Sequence, residues 1–234
     1  MSWLTDGAAL WYLNRATGLV DLVLFTLVIV MGVVATARTS PRWWPRFATV
    51  SLHRSMSLLA VVLLVVHVVA AVADSYVDLT WVDVLVPFAS SYRTFWLGLG
   101  TVAFDLFAAV VITSLLRHRI GPRTWRWVHL LSYAAWPVAV VHGLGTGSDA
   151  STLPVIALTF ACVTAVAMAA AWRSSTLAVA WPGRLALVAL ALALPAWLGT
   201  WVRMGPLQPD WSQRADLAPS PSMVTDVVSP EESS

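Results

Sequence analysis

Four histidines stand in two apolar stretches that offer them little water. His53 and His67 lie fourteen residues apart in SLHRSMSLLAVVLLVVHVVA, Ser51–Ala70. His129 and His142 lie thirteen apart in WVHLLSYAAWPVAVVHG, which begins at Trp127. Imidazole can carry a proton, hold a metal or hydrogen-bond between helices. In hydrocarbon an ionisable side chain is costly and marks function by default. A helical rise of about 1.5 Å per residue separates the first two by about 21 Å and the second two by about 20 Å. The fifth histidine, His118, sits in the basic run RHR and is assigned no role.

The rest of the chain says what must position them. Of 234 residues, 59% are hydrophobic and only 11% charged, against about a quarter charged in soluble domains. The apolar residues come in blocks of about twenty, the length of a membrane-crossing helix. The expected fold is all-α, a polytopic bundle of six transmembrane helices: Leu13–Ala35, Thr49–Ala73, Thr94–Leu116, Trp127–Leu144, Thr152–Trp172 and Leu185–Arg203. The domain reading is an N-terminal segment over 1–12, a helical domain over 13–204, and a Pro- and Ser-rich disordered tail over 205–234. The piece LTWVDVLVPF is apolar but short, and is expected to lie along the membrane surface.

Every basic residue is arginine, and their placement follows membrane sidedness rather than nucleic-acid binding. The first connection carries Arg38, Arg42 and Arg46, the third Arg117, Arg119, Arg123 and Arg126, the fifth Arg173 and Arg184, with no acid among them. The second carries Asp74, Asp78 and Asp83, and the fourth Asp149. Positive-inside bias therefore makes the odd connections cytoplasmic and puts both termini outside. Trp11, Trp43, Trp44, Trp96, Trp127, Trp172 and Trp201 fall near helix ends, where amphipathic rings belong. Trp136 is the exception, in mid-helix. The start of the chain lacks the basic n-region of a cleavable signal. The single cysteine, Cys162, allows no internal disulfide.

One helix separates the two histidine helices, so they run parallel. His53 and His129 are then level on the cytoplasmic side, and His67 and His142 on the outer side. Fourteen residues is close to four turns, so His53 and His67 share a face; thirteen is not a whole number of turns, so the phase must rotate between His129 and His142, with Pro137 the evident place. Zinc prefers a tighter cluster with Cys or carboxylate, and a proton relay wants stacked carboxylates. Haem iron takes two axial ligands from opposite sides, which facing helices supply. Interhelical hydrogen bonding alone would account for one or two such histidines.

The paired histidines, with LHRSMSLLAVVLLVVH, HLLSYAAWPVAVVHGLGTGSD and LNRATG at the head of the first helix, resemble the ferric reductase-like transmembrane domain shared by ferric reductases and NADPH oxidases, over about residues 10–173. The resemblance implies two haem b groups stacked between the second and fourth helices, one held by His53 and His129, the other by His67 and His142. It implies electrons crossing the membrane and a place in a bacterial cytoplasmic membrane. It also suggests Arg15 near the outer group. Arg54 and Arg126 flank the inner pair and are candidates for its propionates; Arg93 is a further outer candidate.

The departures from that family bear on function. Where reductases and oxidases continue into a flavin- and nicotinamide-binding domain, this chain has RSSTLAVAWPGR and another apolar block. No flavin or nicotinamide site is expected. An additional histidine that oxidases carry one turn beyond the outer ligand is Ala71 here. The reading is thus a membrane electron-transfer subunit embedded in lipid, served by a separate flavin-binding partner, favoured outside the membrane, or by quinone. A stand-alone ferric or oxygen reductase is one alternative; a non-redox protein with metal-binding or structural histidines is another. Asp21 and Asp105 fall within helices and need partners, water or a proton. Trp136 and Tyr133 fall between the two histidine levels. Gly143, Gly145 and Gly147 are expected to form a tight turn after His142.

Overall fold

The computed structural model describes residues 8–36, 45–74, 79–147, 149–176, 181–205 and 208. Expectations for Arg38, Arg42, Trp43, Trp44 and Asp78, and for almost all of the tail over 205–234, lie outside them. Among the described residues the chain is all-helical: α1 Ala8–Thr36, α2 Arg46–Ala73, α3 Trp81–Leu85, α4 Thr94–Leu115, α5 Arg117–Ile120, α6 Pro122–His129, α7 Ser132–Thr146, α8 Leu153–Thr176 and α9 Trp181–Met204. Five stretches among the described residues are long and apolar enough to cross a membrane: α1, α2, α4, α6 with α7, and α8. The expected sixth coincides with α9, a helix of 24 residues packed on α8.

Helix α2 illustrates why these segments are helical. Its run AVVLLVVHVV, from Ala60, is rich in valine, a poor helix former in water. In lipid each backbone N–H and C=O must be satisfied within the segment, so a helix is required whatever the propensity. Leu58, Leu59, Val62, Val65 and Val69 are exposed along it. Gly121, at φ 81°, ends α5, and Pro122 opens α6 at the first helical position, where no N–H is needed.

Helix α1 is the hub: α2, α8 and, less extensively, α7 pack on it, while α4 packs on α7 and α6. The buried core draws on α1, α4, α7, α8 and α9 through Ile29, Ala103, Phe107, Trp136, Val163 and Val202. Helix α2 supplies none of that cluster's fully buried members among the described residues and meets it through the half-buried Leu64. It is held by α1 and makes no extensive contact with α7, the other histidine helix. Cys162 is buried in the core, as a small apolar residue would be.

Mid-bundle, Phe25 stacks on Phe107 at 4.1 Å between ring centres. Beside them the buried Trp136 Nε1–H donates to Thr26 Oγ1 at 3.1 Å. Trp136→Phe is expected to keep the packing but lose that bond, lowering stability by about 1 kcal/mol. Thermal unfolding in detergent checks it; a double variant with Thr26→Val should lose no more than the single one.

The apolar piece between α2 and α4 does not cross the bundle. It forms the five-residue α3, with Trp81, Val82 and Leu85 exposed. Asp83 Oδ2 accepts from the Thr80 N–H and hydroxyl, each at 2.8 Å. Thr101 of α4 donates to the Asp83 carbonyl at 2.8 Å and ties the piece down.

Candidate functional site: two levels of paired histidines

The four histidines come together as two pairs. At one level His53 faces His129, with ring centres 6.3 Å apart and planes at 67°. At the other, His67 and His142 lie within electrostatic reach of one another. No three His, Cys, Asp or Glu side chains among the described residues converge to hold a metal ion. The imidazoles thus lie two by two, apart from the tighter cluster of Cys, His or carboxylate that zinc prefers.

Three of the four are oriented by a neighbouring helix. His53 Nδ1 bonds the Val28 carbonyl at 3.0 Å. His67 Nδ1 bonds the Asn14 carbonyl at 2.9 Å. His142 Nδ1 bonds the Trp96 carbonyl at 2.8 Å. A carbonyl only accepts, so each Nδ1 carries the proton and each Nε2 keeps its lone pair. That is how proteins prepare an imidazole to ligate a metal through Nε2. Two imidazoles on opposite sides of one ion, each about 2.0–2.1 Å from it, would have ring centres a little over 6 Å apart. The His53–His129 spacing meets this, so the residues fit the haem iron that the histidine pairing implies.

His129 is held differently. Its Nδ1 is buried without a hydrogen-bond partner among the described residues. Its ring stacks on Trp125, one turn earlier, at 5.0 Å and 28°. Trp125 Nε1–H in turn reaches Ser114 Oγ of α4 at 3.3 Å.

The phase rotation between His129 and His142 is present, but its place differs from expectation. The helix breaks at Leu130–Leu131, while Pro137 lies inside α7. Leu131, Tyr133 and Ala134 donate to carbonyls three residues back, at 2.9, 3.1 and 2.9 Å. Each such step turns about 120° in place of about 100°, which swings His129 toward the face of His142. Pro137 cannot donate to the Tyr133 carbonyl and crowds it; the tightened turn lies just ahead of that residue.

The arginines divide into two kinds. Arg54 and Arg126, near the His53–His129 level in sequence, are exposed. Arg15 Nη2 pairs with Asp149 Oδ1 at 3.3 Å, and its guanidinium lies 5.4 Å from the Trp11 ring centre. It is within electrostatic reach of His67. Arg93 is only 8% exposed. It donates to the Gly145 and Thr146 carbonyls at 3.1 and 3.3 Å, holding the end of the helix that carries His142. Sequence reasoning gave Arg93 too small a part, because nothing local links it to a segment fifty residues on.

Gly143 and Gly145 are helical, not part of a turn, which starts only at Gly147. At Gly145 the Trp96 ring sits 2.1 Å from where a Cβ would be, so packing and not bending requires glycine there. Tyr133 is exposed. Asp21 is buried with both carboxylate oxygens unpartnered among the described residues; Asp105 is half-buried.

Against known proteins, the family model of the ferric reductase like transmembrane component matches residues 17–140. The match takes in His53, His67 and His129 and stops two residues short of His142. No curated protein matches the chain, and no solved structure does.

Proposed function

We propose, from the premise that this chain belongs to the ferric reductase-like transmembrane family, that it is a di-haem b-type cytochrome moving electrons across the bacterial cytoplasmic membrane. The observation that carries the reading is the threefold repeat of a histidine whose Nδ1 bonds a helix carbonyl, leaving Nε2 to ligate. Haem bound by these pairs supplies one-electron redox chemistry; the protein contributes ligation, spacing and polarity.

His53 with His129 binds the inner haem, and His67 with His142 the outer one. The three carbonyl bonds hold the imidazoles in the ligating tautomer. Arg54 and Arg126 offer exposed cations to carboxylates at the inner level. Arg15, already beside Asp149, supplies positive charge at the outer one. Helix α9 is the sixth span, both termini lie outside, and residues 13–204 form the haem domain. The chain serves as the membrane subunit of a redox system. A flavin-binding protein at the outer face is the favoured partner, with quinone as the other source or sink of electrons.

The test is a reduced-minus-oxidised spectrum of the purified chain with a haem count. The expected result is two low-spin b-type haems per chain. A chain free of haem after expression with haem supplied would overturn the reading. Reduction of ferric iron or oxygen by the purified chain alone, at a rate comparable to turnover, would replace the subunit reading with a stand-alone reductase. A related expectation concerns Trp125→Leu. It removes the ring that backs His129, an interaction worth about 1 kcal/mol, so haem at that level should leave about five times faster. Transfer of haem to an excess of haem-free globin measures it.

A further inference from the structure

We infer that Gly18 and Gly100 are positioning residues, each clearing a lateral path by which a ligating histidine reaches a helix carbonyl four residues earlier, with Gly32 in the same register. The inference rests on the haem reading above and adds to it the residues that orient the ligands.

The pattern repeats in one register. His67 bonds the carbonyl of Asn14 and lies against Gly18. His53 bonds that of Val28 and lies against Gly32. His142 bonds that of Trp96 and lies against Gly100. Acceptor and glycine are four residues apart each time, on α1 twice and on α4 once.

Helix geometry explains the offset. The carbonyl of residue i already accepts the N–H of residue i+4, and its second lone pair is reachable only from the side. Every Cα–Cβ bond in a helix tilts toward the N-terminus. A Cβ at i+4 therefore leans back over the carbonyl of residue i, on the approach a second donor must take. Glycine removes the obstacle, although it weakens a helix relative to alanine.

The three sites are graded. A Cβ at Gly100 would stand 2.4 Å from His142 Cε1, 2.5 Å from Nδ1 and 2.9 Å from Nε2, so the ring must move. At Gly18 it would stand 3.0 Å from His67 Cε1 and 3.3 Å from Nδ1. At Gly32 the nearest distance, to His53 Cε1, is 3.4 Å, an ordinary contact. His129 supplies the contrast: no described glycine lies against its ring, and its Nδ1 is the one left without a partner. Glycines in membrane helices also serve close packing, and Gly98, against the Phe88 ring of the segment between α3 and α4, is of that kind.

Haem-loaded full-length protein tests the inference through Gly100→Ala, Gly18→Ala and Gly32→Ala, with Gly143→Ala as control, since nothing lies within 4 Å of a Cβ there. The readouts are haem per chain, the low-spin electron paramagnetic resonance of each haem, and the midpoint potential of each. Gly100→Ala is expected to lose or convert the His67–His142 haem while the other keeps its parent signature. Gly18→Ala should retain both haems but shift the resonance and potential of that same haem. Gly32→Ala should produce the smallest change, confined to the His53–His129 haem. Gly143→Ala should match the parent. Parent signatures in both Gly18→Ala and Gly100→Ala would overturn the inference and leave the haem reading intact. Equal damage to both haems in every glycine variant would also overturn it, as a packing defect does. A parent chain without haem would instead sink the haem reading itself.

Discussion

Replacing His67 with alanine is expected to leave a chain that binds a single haem, with the His53–His129 level spectrally unchanged. His67 has no understudy: the described residues bring no other imidazole, thiol or carboxylate into a ligating cluster. Its removal also takes one donor from the Asn14 carbonyl, which accepts its Nδ1–H at 2.9 Å and keeps the Thr17 hydroxyl at 3.0 Å. The other level is built from different parts, the Val28 end of α1 and the break between α6 and α7, so it should survive. His129→Ala is the mirror experiment and should spare the His67–His142 haem. A haem count with optical difference spectra reads both. Loss of both haems in either variant would mean that the levels fold as one unit. Retention of both would remove these histidines from the ligand set.

The second large effect belongs to Arg93. It is the residue before α4, in the left-handed region at φ 40°, and it is buried. Its guanidinium meets the Gly145 and Thr146 carbonyls, the last of α7. Terminal carbonyls of a helix lack partners within it, and positive charge is favourable there. Arg93→Ala should therefore cost about 3 kcal/mol, since buried hydrogen bonds to a charged group contribute roughly 1.5–3 kcal/mol each. Because His142 lies one turn before Thr146, the damage should concentrate on the His67–His142 haem. Arg93→Lys should recover only part, as its shorter side chain must bring one ammonium to both carbonyls that a single Nη1 now serves. Denaturant unfolding in detergent and the per-haem spectrum measure the two components. An alanine variant as stable as the parent would show that water satisfies those carbonyls.

Much of the site could be read from residue types. The four ligating candidates, their grouping into two levels and the helices carrying them follow from apolar blocks, arginine placement and histidine spacing. More was legible than was used. Gly18 and Gly32 are fourteen residues apart on α1, as His53 and His67 are on α2. On antiparallel neighbours that equality places one glycine opposite each histidine. The residues Asn14, Gly18, Asp21, Phe25, Val28 and Gly32 form a single stripe at spacings of four and three, the signature of one helix face.

Other features had no local signal. The break at Leu130–Leu131 is written in ordinary helix-forming residues, whereas the proline that drew attention lies within α7. Glycines that looked like a turn after His142 are helical, because the space beside Gly145 is taken by Trp96 of another helix. Arg93 stood in the sequence as a further outer candidate, and its guanidinium closes the end of a helix over fifty residues away.

Sequence alone determined that the chain forms apolar helices and that two of them carry paired imidazoles, because lipid admits few backbone solutions and charge asymmetry sets orientation. The tertiary structure alone decided which carbonyl each imidazole meets, which ring is left without one, and which arginine closes a helix end. Those outcomes depend on side-chain approach between helices over a few tenths of an ångström, and such distances arise only when the helices are packed together.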